Sequence, residues 1–260
     1  MELKLLTLNL HAWQEQEQEK KFEQIANFIL ENNIDIIAFQ EVNQHKDKII
    51  LFENIREDNP SLIIKKYLEN NGKNYEFVWD WSHYGFNVYE EGLSIMTKHR
   101  LIKTENRFIS NSHDLNFWKT RKALKATIKI QDKEINVYSC HMGWLWDEVE
   151  PFKYQMSKLS DFVKEEKDTL SFIMGDFNNP DESEGYEIVK GYGLFDLFQK
   201  TKENLGFTIK GSIAGWETNE EGLRIDYIYS NQKTKILESK VVFEEEQVSD
   251  HFGVYIKVKI

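Results

Sequence analysis

Chemically able residues recur wherever an apolar run stops in this chain of 260 residues. LTLNLHAW carries Asn9 and His11, IIAFQEV ends near Glu41, and INVYSCHMGW reaches His141. FIMGDFNNP places Asp176 and Asn178 two residues apart, RIDYIYS begins with Asp226, and VSDHFGV begins with Asp250 and His251. Asn9, Glu41 and Asp250 offer hard oxygen ligands, which suit Mg²⁺ or Mn²⁺ held by one or two carboxylates with water and phosphate. A single cysteine and the lack of an HExxH pattern argue against a thiolate zinc site or a metalloprotease. In an extended segment Asp176 and Asn178 face the same side. One would take a proton from water while the other holds that water or a phosphate oxygen. His141 and His251 would supply protons or positive charge as negative charge moves during phosphoryl transfer. Together the parts fit metal-assisted hydrolysis of a phosphoester by in-line attack. Turn chemistry explains any one of these strand ends, since Gly, Asp, Asn and Pro are ordinary strand-ending residues. Six such ends in one chain carry the catalytic reading.

Strands must aim these groups, and the pattern supplies them. Residues 3–10 read as a strand, and Phe22, Ile25, Ile29 and Leu30 give residues 17–31 the spacing of an amphipathic helix. Residues 34–39 form a short apolar strand, and Asn59-Pro60 supplies an N-cap and first helical position for SLIIKKYLENN. Residues 75–81, 92–97, 123–130 and 134–141 read as extended; in the third, Leu124, Ala126, Ile128 and Ile130 alternate with Lys125, Thr127 and Lys129. Glu150-Pro151 opens a helix with Phe152, Met156, Leu159 and Val163 on one side. LSFIM, LFDLF, IDYIYS, KVVF and FGVYIKVKI predict later strands. With no internal repeat, no low-complexity linker and three prolines, one domain over residues 1–260 is expected. Many strands with few helices between them predict two packed sheets with helices outside.

Composition narrows the partners. The chain is long enough to bury roughly three quarters of its unfolded surface without staples. Cys140 stands alone, so no intramolecular disulfide forms and a reducing compartment is expected. No basic segment leading into an apolar stretch precedes the first motif, and no apolar run nears the ~20 residues of a membrane span. A soluble, cytoplasmic protein with no obligate protein partner is expected. Lys and Arg number 33 against 44 Asp and Glu, a formal charge of −11, which disfavours a polyphosphate partner while leaving a local basic groove open.

The ordered set LNLHAW, QEV, EEGLSIMTK, SCHMGW, GDFN, RIDYIYS and SDHFGV resembles the endonuclease/exonuclease/phosphatase superfamily along nearly the whole chain. That superfamily includes DNase I, apurinic endonucleases, neutral sphingomyelinases and inositol-polyphosphate phosphatases. The resemblance implies a four-layer α/β sandwich. It implies that Glu41 and Asn9 form the main metal site with Asp250 nearby. Asp176 would then activate or orient the nucleophilic water, and Asn178 would bind a phosphate oxygen. Asp226 and His251 look like the carboxylate–imidazole pair, and His141 is similar to the second histidine of the DNase-like and phosphatase branches. Apurinic endonucleases tend to carry a tyrosine at that place and an aspartate where His11 stands, so both positions depart from a repair enzyme. Glu91 is either the carboxylate partner of His141 or part of a solvated acidic turn with Glu90. Arg121 either reaches a substrate phosphate with its planar fork or belongs to a charged strand end with Lys119 and Lys122. Cys140 is expected to be a small core residue.

The aromatic residues bear on the substrate. Trp13, Trp118, Trp144, Trp146 and Trp216 all fall beside the motifs, where indoles would stack on the apolar face of a sugar or on a nucleobase. One or both of Trp79 and Trp81 are expected in the core. YEEGLSIMTK, NFWKTRKAL, HMGWLWDEVEPF and GWETNEEGLRIDYIY resemble the maltose 6'-phosphate phosphatase branch of low-GC Gram-positive and related bacteria. The resemblance implies an intracellular sugar-phosphate phosphatase using Mg²⁺, or Mn²⁺ in its place. Two alternatives stand beside it: a phosphodiesterase of nuclease or sphingomyelinase type, and a non-catalytic binding protein of the same fold. A sphingomyelinase needs membrane access, and no exposed apolar hairpin is expected here. Retention of the full polar set argues against a decayed site.

Overall fold

A computed structural model describes residues 1–201 and 204–260. The chain begins β1 (Glu2–Asn9), α1 (Gln18–Asn32), β2 (Ile36–Gln40), β3 (Gln44–His45), β4 (Ile50–Phe52), β5 (Ile55–Arg56) and α2 (Pro60–Asn70). A run of strands follows: β6 (Glu76–Gly85), β7 (Tyr89–Thr97), β8 (Arg100–Phe108), β9 (Lys122–Ile130) and β10 (Lys133–His141). Then come α3 (Phe152–Lys164), β11 (Ser171–Asp176), α4 (Glu184–Gly191), β12 (Phe195–Asp196), β13 (Asp226–Ser230), β14 (Lys235–Val242) and β15 (Gly253–Lys259).

The strands build two main sheets. One runs β14-β15-β1-β2-β7-β3 with β6 also paired to β7, and the other runs β12-β13-β11-β10-β9-β8. β1 pairs with β2 in parallel, as β10 does with β11. A parallel pair needs a crossover, and α1 and α3 supply one each.

Alternation along each strand decides the layers. Leu3 and Leu5 of β1 and Ile36 and Ala38 of β2 meet Leu124, Ala126, Val137, Phe172 and Met174 of the other sheet. The opposite face of the first sheet, with Leu6, Leu8, Ile37 and Phe39, packs on Phe22, Ile25 and Ile29 of α1 and Leu62 and Leu68 of α2. The opposite face of the second, with Tyr138, Cys140, Ile173 and Tyr229, packs on Met156, Leu159 and Phe162 of α3 and Val189 of α4. The result is a four-layer α/β sandwich. Cys140 is a core residue. Trp79 is buried and donates its indole N–H to the Val42 carbonyl at 2.8 Å, while Trp81 is half-buried against the same core.

Toward one end of the sandwich the inter-sheet layer turns polar. Leu3 and Leu5 are followed on the same side by Thr7 and Asn9, Ala38 by Gln40, Val137 by Ser139 and His141, and Met174 by Asp176. Thr7 donates to the Ala38 carbonyl and to Gln40 Oε1, both at 3.2 Å. Gln40 Nε2 donates to Ser139 Oγ at 3.1 Å, and Ser139 Oγ donates to the Phe39 carbonyl at 2.9 Å. This buried chain joins the two sheets with its polar groups paired, as burial requires.

Several elements depart from the sequence reading. β8 is an edge strand with most side chains exposed, so its sequence carries no alternation. α4 is eight residues long and is capped by Ser183, whose Oγ accepts from the Tyr186 amide. LFDLF yields only the two residues of β12. The β4–β5 hairpin corrects the expectation that no apolar hairpin is exposed: Ile49, Ile50, Leu51 and Phe52 stand 46–65 % exposed. Its consecutive apolar residues read equally as a buried strand, and only its place outside both main sheets exposes them. Among the described residues, no helix is long and apolar enough to cross a membrane.

Candidate active site

Strand register brings the polar ends together. Asn9 lies beside Gln40 in the parallel β1–β2 pair, and Glu41 follows with its backbone at φ 47°. His141 pairs with Asp176 across β10 and β11, and Asp176 pairs with Asp226 across β11 and β13. Asp250 and His251 immediately precede β15, the other neighbour of β1. Gly175 makes the crowded approach possible: its φ is 145°, and a Cβ there would collide with the Cys140 carbonyl oxygen.

Asp176 is the hub. Its Oδ2 accepts from Asn9 Nδ2 and from Asn178 Nδ2, each at 3.3 Å, and its Oδ1 accepts from the Asn178 amide at 2.8 Å. His141 Nε2 lies 3.7 Å and His251 Nε2 3.9 Å from the same Oδ2. Asn9 Nδ2 also donates to Glu41 Oε1 at 2.8 Å, while Asn9 Oδ1 accepts from the His11 amide at 3.1 Å. His251 Nδ1 donates to Asp226 Oδ2 at 2.9 Å. Asp250 Oδ1 sits 3.7 Å from His11 Nδ1, which is itself 2.8 Å from Glu15 Oε1.

The expected extended geometry at Asp176 and Asn178 is corrected. β11 ends at Asp176, and Asn178 takes a left-handed backbone at φ 48°. The Asn178 amide and carboxamide fold back onto Asp176 as in an Asx-turn, so the pair meets through the turn and not through strand alternation.

Burial sets the protonation pattern. It pushes the Asp176 carboxyl up to about 8, with the Asp226 charge adding to the effect and His251 opposing it. Burial, Glu91 and Asp250 together push Glu41 up to about 7. For His251 burial acts downward, but the Asp226 carboxylate outweighs it and holds the imidazolium well above the usual histidine range. Burial, helped by Arg121, His83 and His251, takes His141 well below that range. The two imidazoles at Asp176 are thus a cation and a neutral ring.

Glu91 is half-buried and lies 4.0 Å from His141 Nδ1 but only 3.4 Å from His83 Nε2. His83 lies outside every motif of the sequence; it faces Glu91 across the β6–β7 register and sits 3.2 Å from the Thr120 carbonyl. Thr208 also lies outside the motifs, and its Oγ1 accepts from the Ile225 and Asp226 amides at 3.0 and 3.2 Å. Arg121 is buried, donates to the Trp118 and Thr120 carbonyls, and keeps Nε without a partner among the described residues. Its charge acts on Glu91 and His141. Lys119 pairs with Asp147 at 2.6 Å and Lys122 with Asp80 at 2.8 Å.

The indoles beside the motifs fall in three places. Trp13 packs edge-on against Phe22 and donates to the Asp58 carbonyl. Trp144 stacks on Trp146 at 5.5 Å and meets Trp118 edge-on at 6.3 Å. Trp118 and Trp146 are 50 % and 65 % exposed, which leaves faces open to a ligand. Trp216 turns its Nε1 toward Asn178 Oδ1 at 3.1 Å.

The donor set fits a hard divalent cation. Carboxylates crowd one another under burial, and their ionised forms are disfavoured unless positive charge joins them. Oxygen and imidazole atoms of His11, Glu15 and Asp250 form one compact group, and those of Asp176, Asp226 and His251 another.

A two-sheet sandwich with a carboxylate, carboxamide and imidazole hub between the sheet ends defines a phosphoester-hydrolase type of architecture. The family model described as Endonuclease/Exonuclease/phosphatase family matches residues 15–251, and the chain belongs to that family. It is similar to an endonuclease/exonuclease/phosphatase family protein from Leptotrichia buccalis, at 33 % identity and TM-score 0.91 over 99 % of this chain and 100 % of that one. An endonuclease/exonuclease/phosphatase from Beutenbergia cavernae shares the fold at 17 % identity and TM-score 0.72, over 100 % of this chain and 72 % of that one. D. rerio TDP2 complexed with single strand DNA product shares it at 14 % identity and TM-score 0.68, over 100 % of this chain and 99 % of that one. A search of curated proteins finds no match.

Proposed function

We propose that the protein is a divalent-cation-dependent phosphatase of the cytoplasm, acting on a small phosphorylated sugar of the maltose 6'-phosphate kind. The observation that carries the hydrolase reading is the Asp176 hub, with Asn9, Asn178, His141 and His251 all directed at one carboxylate. Glu41, Asn9 and Asp250 would hold Mg²⁺, or Mn²⁺ in its place. The cation, when bound, supplies Lewis-acid polarisation of a phosphoryl oxygen. Asp176, with the cation's charge favouring its ionised form, would orient water and take its proton. His251, kept cationic and oriented by Asp226, faces the developing negative charge. Neutral His141 accepts or donates a hydrogen bond at the same phosphoryl group, while Asn178, whose Nδ2 hydrogens go to the Met142 carbonyl and to Asp176, acts by holding that carboxylate in place. The exposed Trp118 and Trp146 faces and the −11 charge favour a compact sugar ring over a long polyanion.

Phosphate release would be measured with Mg²⁺ on phosphorylated disaccharides, phosphorylated monosaccharides and nicked DNA, with Asp176→Ala as control. Rapid release from a sugar monoester, lost in the control, is expected. Cleavage of DNA with inert sugars would overturn the substrate assignment.

The β4–β5 hairpin favours a second reading, a phosphodiesterase acting at a lipid surface, because exposed contiguous apolar side chains suit interfacial binding. Sedimentation with zwitterionic vesicles tests it; a Leu51→Asp variant should then stay in solution.

A further inference from the structure

Asn178 has an unusually complete set of partners for a residue in a left-handed turn. Its amide donates to Asp176 Oδ1 at 2.8 Å, and its Nδ2 donates to the Met142 carbonyl at 3.0 Å and to Asp176 Oδ2 at 3.3 Å. That leaves the carboxamide oxygen, which accepts from the Trp216 indole at 3.1 Å. Rotating the carboxamide by half a turn would press its oxygen against a carbonyl and a carboxylate, and its NH₂ against an indole N–H. Each of those pairings is two acceptors or two donors. Both ends of the group therefore specify one orientation.

Trp216 comes from a separate stretch of chain with its own internal order. Its amide donates to the Ile213 carbonyl at 2.9 Å, and Asn219 closes the turn by donating to the Trp216 and Gly211 carbonyls at 3.0 and 2.8 Å. Gly215, at φ 81°, seats this turn on the rim: a Cβ there would lie 2.5 Å from Trp144 Cζ2. Trp144 in turn stacks on Trp146. A continuous path of contact thus runs from the exposed indoles through Gly215 and Trp216 to Asn178.

We infer that Trp216 is a positioning residue, which fixes the Asn178 carboxamide with Nδ2 on the Met142 carbonyl and the Asp176 carboxylate, so steadying Asp176, and ties that orientation to the Trp144 rim. The catalytic consequence rests on the hydrolase reading above; the orientation itself does not.

The test is a double-mutant cycle with Trp216→Phe, which keeps the ring on its turn and deletes the N–H, made in the native and the Asn178→Ala backgrounds. A buried acceptor left unpaired is expected to lower kcat about tenfold in the native background, with KM little changed. Phenyl phosphate, which carries no sugar, should show the loss as clearly as a phosphorylated disaccharide. In the Asn178→Ala background the same substitution should cost nothing further. Equal losses in both backgrounds, or no loss in either, would overturn the inference. The Trp216 indole N–H resonance gives a readout independent of turnover. It should exchange slowly with solvent and shift on Asn178→Ala; an unmoved resonance defeats the inference even if no phosphoester proves to be a substrate.

Discussion

Asn9 Nδ2 donates to Asp176 Oδ2 at 3.3 Å, across 167 residues of sequence and from one sheet to the other. The same carboxamide group holds Glu41 at 2.8 Å, so one side chain spans the two halves of the site. Asn9→Ala would take a donor from two carboxylates at once. Turnover should fall by roughly 10²–10³, the scale of losing a preorganised donor, while Asn9→Asp adds like charge and does no better. Steady-state kinetics on both variants, with circular dichroism to show the fold intact, checks this.

Cation binding should be visible without any substrate. Mg²⁺ that binds only the folded chain raises its melting temperature, by the equivalent of ~2.7 kcal/mol at a hundredfold excess over Kd. Glu41→Gln should remove most of that rise, and EDTA should reproduce the effect in the native chain. Differential scanning fluorimetry across a Mg²⁺ titration reads it directly. A full Mg²⁺ response in Glu41→Gln would remove Glu41 from the cation site.

Asp226 keeps His251 charged, so its loss has a signed pH effect. Without the carboxylate the imidazolium gives up its proton at lower pH. Asp226→Asn should therefore lower kcat by roughly 10²–10⁴ and move the alkaline limb of the rate profile toward acid. An unmoved alkaline limb would separate that limb from His251.

Asp35, far from the site, makes a separate stability prediction. It accepts from the Lys4 amide at 2.8 Å and lies 3.0 Å from Lys98 Nζ and 2.9 Å from His99 Nε2. Burial acts upward on it, but these donors prevail and hold its carboxyl below the usual value. A depressed carboxyl adds stability that is present above the unfolded value near 4 and is lost as pH falls through the folded one. The melting difference between the native chain and Asp35→Asn should be largest near neutrality and shrink below about pH 4. A gap that widened in acid would contradict this linkage.

Gly175→Ala tests the close passage of β11 past β10. The added methyl meets the Cys140 carbonyl, and φ 145° is unfavourable for any side chain. A loss of about 2–4 kcal/mol is expected by urea unfolding, from strain and overpacking combined. A loss below ~0.5 kcal/mol, the range of an ordinary surface change, would mean the strands can separate there at little cost.

Much of this site was legible because alternation is local. Leu3, Leu5, Thr7 and Asn9 sit on one side of one strand, so a reader of the sequence sees apolar packing give way to polar residues at one end. The same holds for Val137, Ser139 and His141. Capping was equally local, and Asn59 accepts from the Ser61 and Leu62 amides as its place before Pro60 predicts. What escaped notice depends on register and docking between distant segments. His83 meets Glu91 only because β6 and β7 pair with a bulge between Trp81 and His83. Thr208 reaches the Asp226 amide, and Trp216 reaches Asn178, from a stretch with little regular structure. β8 hid for another reason: an exposed edge strand has no buried face to impose a pattern.

The two parallel units β1–α1–β2 and β10–α3–β11 each deliver one half of the polar set, Asn9 and Glu41 from the first, His141 and Asp176 from the second. Each half belongs to a different sheet, and the apolar filling between the sheets decides how they align. Enzymatic competence is therefore a report on alignment between the halves. A slip of an ångström between the sheets would leave secondary structure and most of the core in place, yet it would part Asn9 from Asp176. Variants in the middle layer, far from any reacting atom, should silence turnover before they melt the chain.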